Sequence, residues 1–161
     1  MVAKPSSRRR APADAAGITH ALLAVDGSPA SLRAAQRLRS LLAAFPDARL
    51  TVMYVAHLPR DLQTSGTGEK LIVEFPLSGF VRATAAPALE AAVAALGPLG
   101  ARAETEVQIG EPATEICEFA RTEAVDLLVM GVRGTGPDGV AVGGVSSKVL
   151  TLAPCAVMLV H

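Results

Sequence analysis

The chain has no tryptophan, and one tyrosine and four phenylalanines are its whole aromatic content in 161 residues. Half of the residues are apolar, many of them alanine, so the composition suits helices packed closely on a sheet better than an aromatic-rich binding surface. Excess charge of either sign is missing as well: 15 basic residues balance 15 acidic ones, and the sequence pI is about 6.8. Without a basic surface, nucleic acid is not expected as a partner. No apolar run reaches the roughly 18 residues that span a bilayer. The most Ala-rich stretch, 83–97, is interrupted by Pro87 and Glu90, and no membrane segment is expected. The length fits one domain with a sizeable core.

Cysteine is scarce too. Cys117 and Cys155 are far apart and form no CxxC or metal-ligand spacing, so both are expected to be reduced and packed in a cytoplasmic protein. His20, His57 and His161 are equally scattered, and no metal site is expected from them.

What the chain has in excess is glycine in one place. Six glycines (131, 134, 136, 139, 143 and 144) fall within fourteen residues, between two short apolar segments. Each costs backbone entropy on folding, so such a loop belongs where a backbone must come close to a ligand, a phosphate above all. The string GTGPDG at 134–139 is a literal GxGxxG. No long helix starts at its third glycine, however, and no acid lies about 20 positions on, so a dinucleotide fingerprint is excluded. A GxxxxGK[ST] loop and a GxSxG elbow are absent, which removes the P-loop ATPases and the serine hydrolases of that type. The SGGxDS-type and HxGH signatures of related nucleotide-using enzymes are missing as well, and no catalytic constellation emerges.

Taken in order, residues 1–17 are Pro, Ala, Ser and Arg without periodicity and are expected to form a disordered arm ahead of a domain spanning 18–161. HALLAV at 20–25 reads as a buried strand ending at Asp26-Gly27. Ser28 then caps a helix with Pro29 at its first position, running to about Phe45. The nearly continuous apolarity of Arg49–Ala56 predicts a strand covered on both faces. Residues 59–78 read as a long loop, whether lid, interface element or mobile segment, before an Ala-rich helix from about Phe80 to Leu96 with a break near Pro87. Alternation over 101–109 predicts a half-exposed strand at a sheet edge. A helix from Pro112 to Glu123, a strand at Val125–Met130, a short helix over 146–152 and a strand at 156–160 complete the pattern. Strands alternating with helices predict an α/β fold, an open five-stranded parallel sheet with helices on both faces. Ligands in such sheets bind beyond the carboxyl ends of the strands.

From Val125 onward the segment resembles the nucleotide loop of the universal stress protein family, G-x2-G-x9-G-[ST] followed by V-[ST]. Gly131-x2-Gly134 matches, and VSSKVLTLAPCAVMLV from Val145 is similar to the family's ending. LLAVDGSPASLRAA at the first strand and GEPATEICEFARTEAVDLLVMG before the loop extend the resemblance over nearly the whole chain from residue 19. It implies a single-domain three-layer sandwich with sheet order 3-2-1-4-5. It also implies a stress-response protein that binds adenine nucleotide (ATP or AMP, with magnesium an option), that hydrolyses ATP slowly at most, and that forms a homodimer through strand 156–160. On the family pattern, Val25 and Asp26 lie at the base, with Asp26 accepting from the adenine amino group; Val55 and Met130 contact the base and Gly131 admits the ribose. Gly134, Gly143, Gly144, Val145 and Ser146 line the phosphates, and Arg133 adds positive charge, as does Lys148. Asp26 has an alternative role in simply holding the turn after its strand.

The chain departs from the pattern in three ways. Counted back from Val145-Ser146, the third glycine is Gly143 and the loop is one residue short, with Gly144 in place of the hydroxyl residue. With nine positions intervening after Gly134, it is Gly144, with Val145 in that place. Either way a hydroxyl is lost, and Asp138 adds a carboxylate that repels phosphate. The rival expectation is therefore a dimeric interaction module of the same fold whose loop no longer binds nucleotide.

Overall fold

In the computed structural model the described residues are 17–57, 77–132 and 143–161. The arm at 1–16, most of the 59–78 loop, and Arg133, Gly134 and Asp138 lie outside them. Five strands, β1 (His20–Val25), β2 (Arg49–Ala56), β3 (Glu104–Ile109), β4 (Leu127–Gly131) and β5 (Ala156–Val160), form one parallel sheet in the order β3-β2-β1-β4-β5. The expected α/β architecture and strand order are those observed.

Central strands must be apolar on both faces, and these are. One face carries Ala21, Leu23, Leu50, Val52 and Val129 against α1 (Pro29–Leu42) and α2 (Leu77–Ala95). The other carries Leu22, Ala24, Met53, Leu128 and Met130 against α3 (Pro112–Thr122) and α4 (Gly144–Leu152). Leu22 and Leu23, adjacent in sequence, therefore enter opposite cores, and each contributes about 2 kcal/mol of burial.

Helix boundaries follow local chemistry. Ser28 Oγ accepts from Ser31 N–H and Pro29 opens α1, as the sequence predicts. The helix stops at Leu42 rather than Phe45, because Ala44 and Phe45 turn back onto the carbonyls of Leu41 and Leu42. Pro87 does not break α2. Ala85, Ala88, Leu89 and Ala92 are buried around it, and that packing outweighs the hydrogen bond a proline removes. Strand β3 starts three residues later than expected, since Gly97–Arg102 winds into a short 3-10 helix in which Gly100 packs where a Cβ would strike Val93. Both β3 and β5 are edge strands.

The amino end of the sheet is closed by polar contacts. Asp126, just before β4, accepts from Thr19 N–H (2.7 Å), His20 N–H (2.9 Å) and the Thr19 hydroxyl. His20 is buried, donating from Nδ1 to the Glu123 carbonyl (3.1 Å), so its Nε2 accepts from the Thr51 hydroxyl (2.9 Å). Arg49 reaches Glu104 at 2.9 Å and Glu123 at 3.2 Å. Burial depresses the pKa of His20, although the Glu123 carbonyl opposes the shift. Asp126 is held below the usual carboxylate value: desolvation is the largest influence and acts upward, and the hydrogen bonds from Thr19 and His20 together outweigh it.

Candidate functional site

At the opposite end, the carboxyl ends of β1, β2 and β4 spread around a cavity of about 520 Å³. This is the switch point of the sheet, where the chain's connections leave β1 in opposite directions, and its volume lies in the range of small-molecule sites. Met53 and Val55 of β2, and His57 just after its end, reach it at every second residue, from a fully buried floor to an exposed mouth. Pro112 and Ile116 of α3 face them, and Ala24 and Met130 complete the apolar surface.

Asp26 stands at the rim, where its Oδ1 accepts from Ser28 N–H at 2.9 Å. The turn-holding role read from the sequence is thus present, and the same carboxylate lines the cavity. Gly27, at φ +78°, lets the chain leave β1 in a conformation that disfavours side chains.

The glycines fall into two kinds. A Cβ at Gly131 would overlap the backbone of Ala30 and Ser31, so this glycine is required by the close approach of β4 to the first turn of α1. Gly143 and Gly144 differ: a Cβ on either meets nothing within 4 Å among the described residues, and Gly143 has an ordinary negative φ. Packing among the described residues gives no reason for glycine there. Gly143 caps α4 without a side-chain hydrogen bond, and Val145 and Ser146 follow along the cavity wall with Ser146 only 4 % exposed. The first turn of α4 therefore presents backbone N–H groups beside an open space.

Lys148 is not part of the lining. Its Nζ lies 3.2 Å from Glu111 Oε1. Glu111 also caps α3 through Thr114 N–H at 2.9 Å, and that hydrogen bond first, then the Thr114 hydroxyl and Lys148, lowers its pKa despite some desolvation. This pair ties α3 to α4 along the outside of the site. Cys117 and Cys155 are unpaired thiols in the same core, and burial pushes both pKa values up. Among the described residues no group of three His, Cys, Asp or Glu side chains gathers as a metal site, and no helix is long and apolar enough to cross a membrane.

Of the residues singled out from sequence, Val25, Asp26, Val55, Met130, Gly131, Gly143, Gly144, Val145 and Ser146 all line the one cavity. Arg133 and Gly134 lie outside the described residues. Ala24, Ser31, Met53, His57, Pro112 and Ile116 were not anticipated. The period-two row Met53-Val55-His57 was a usable signal for two of them, whereas Pro112 and Ile116 arrive only through the crossover.

A parallel α/β sheet with an apolar cleft at its switch point and a glycine-led helix at one side is the arrangement in which α/β proteins place small-molecule sites. The model of the universal stress protein family matches residues 17–161, and the chain belongs to that family. A universal stress protein of Bacillus subtilis is 33% identical over 144 residues, covering 87% of this chain and 97% of its own. Among solved structures, UspA from Lactobacillus plantarum superposes with a TM-score of 0.66 at 27% identity, covering 89% of this chain and 98% of its own. A universal stress protein crystallised in complex with cAMP superposes with a TM-score of 0.61 at 26% identity, covering 89% and 97%.

Proposed function

We propose that this protein binds an adenine nucleotide, AMP or ATP, at the switch-point cavity and acts by binding rather than turnover. The observation that carries the reading is the pairing of an apolar slot with an open helix start: Met53, Val55, Ile116 and Met130 at one side, Gly143 to Ser146 at the other. A purine has two apolar faces and fits such a slot. A phosphate fits N–H groups at a helix start where no Cβ intrudes, and the helix dipole favours its charge. Asp26 lies at the rim to accept from an exocyclic amino group. The related protein whose structure holds cAMP supports an adenine ligand.

Pairing of β5 with β5 of a second copy is part of this proposal. β5 is a sheet edge with half-buried Val157, Met158, Leu159 and Val160, and α4 beside it exposes Leu150 and Leu152 at about half of their surface.

The test is to purify the protein without added nucleotide, denature it, identify any released ligand, and titrate AMP and ATP by calorimetry. Saturable binding of an adenine nucleotide is expected. Absence of heat at millimolar nucleotide, with no ligand released, favours the interaction-module reading. Light scattering should return twice the 16.5 kDa chain mass, and a monomer mass would remove the strand-pairing claim.

A further inference from the structure

We infer that His57 is a base-recognition residue, supplying a polar contact to the purine; this rests on the nucleotide reading above. Along β2 and the residue that follows it, Met53, Val55 and His57 line the cavity at every second position, and burial falls from complete at Met53 to exposed at His57. A flat base lying along that row covers Met53 and Val55 with its face, and its edge emerges at the imidazole.

The topology fixes which half of a nucleotide His57 meets. β2 lies on one side of β1 and β4 on the other, and the glycine-led start of α4 follows β4. A ligand whose phosphate lies at Gly143–Ser146 therefore has its base toward β2. On that side Asp26 and His57 are the ionisable side chains among the described lining residues. A carboxylate only accepts hydrogen bonds, whereas a neutral imidazole both donates and accepts. The purine edge carries ring nitrogens that need a donor, which Asp26 cannot provide and His57 can.

The experiment measures Kd for adenosine, AMP and ATP by ligand-observed NMR and calorimetry in wild type, His57→Ala and His57→Gln. His57 is exposed, so neither substitution opens a core. Losing one neutral hydrogen bond is expected to weaken all three ligands by the same factor, about fivefold, with Gln recovering most of it because its amide keeps a donor. A loss that grows from adenosine to ATP would place His57 at the phosphates and overturn the inference. Unchanged affinities in His57→Ala overturn it while leaving the nucleotide site standing. Failure of the wild type to bind any of the three overturns both readings.

Discussion

The two ends of the sheet are built from opposite materials. At the amino end, Thr19, His20, Thr51, Glu123 and Asp126 bond to one another, and Arg49 adds ion pairs to Glu104 and Glu123. At the carboxyl end, apolar side chains and glycines surround an open cavity, and the first turn of α4 has no side-chain cap. The amino end spends its polar groups on the fold. The carboxyl end places few polar side chains, Asp26 among them, beside a space of ligand size. The proposed site thus lies at the other end of the strand axis from the polar network, as in parallel sheets whose ligands sit beyond the carboxyl ends.

Gly131 is the exception, because it lines the cavity yet serves the fold, and its substitution has the largest expected effect. Gly131→Val drives a side chain into the first turn of α1 and should cost about 3 kcal/mol or more, read as a lower urea midpoint at constant m-value. A midpoint unchanged within error would show that α1 yields at no cost. Next comes the amino end. Asp126→Ala removes the acceptor for two backbone N–H groups and a hydroxyl, at a largely exposed site, and should cost about 1.5 kcal/mol. Because the folded pKa of Asp126 is depressed, its contribution is complete above the ordinary carboxylate value and is lost as pH falls through the folded one. The difference between wild type and Asp126→Ala should accordingly shrink in acid; a difference constant from neutral pH down to pH 3 would refute the assignment.

Smaller effects sharpen the picture. Ala124 closes α3 at φ +51°, with Val125 N–H reaching back to the Ala120 carbonyl, a position that glycine fills without strain. Ala124→Gly should therefore raise stability by about 1 kcal/mol, less the entropy glycine adds to the unfolded chain, and leave nucleotide affinity untouched. Destabilisation would mean that the turn is relaxed with alanine. The neutral, buried His20 predicts the gentlest effect. Its stabilisation is complete above the unfolded value of about 6.5 and declines as pH falls below it toward the folded value, with a slope of at most about 1.4 kcal/mol per pH unit. In His20→Gln that slope should vanish, and a persistent slope would point to another group.

The division between the two ends also explains what could be read from the sequence. Strands β1, β2 and β5 were legible to the residue, because each is an apolar run bounded by turn or polar residues. The glycine cluster and Asp26 flagged the carboxyl end, since a run of glycines stands out in one dimension. The amino-end contacts gave no such sign. His20 and Thr51 are 31 positions apart and His20 and Glu123 are 103 apart, and only the parallel register brings them together. Pro87 misled for the same reason: a local breaker was overridden by burial that only the tertiary structure supplies. The opposite limit applied to Gly131 and Gly144, which look alike in sequence and differ only in what surrounds them.

Gly144→Val separates binding from folding, because a side chain there meets nothing of the protein among the described residues and enters the space proposed for phosphate. Measured side by side, the unfolding free energy from urea titration should stay within about 0.5 kcal/mol of wild type, while AMP affinity by calorimetry falls by about tenfold or more. Unchanged AMP affinity in a folded Gly144→Val protein would contradict the account.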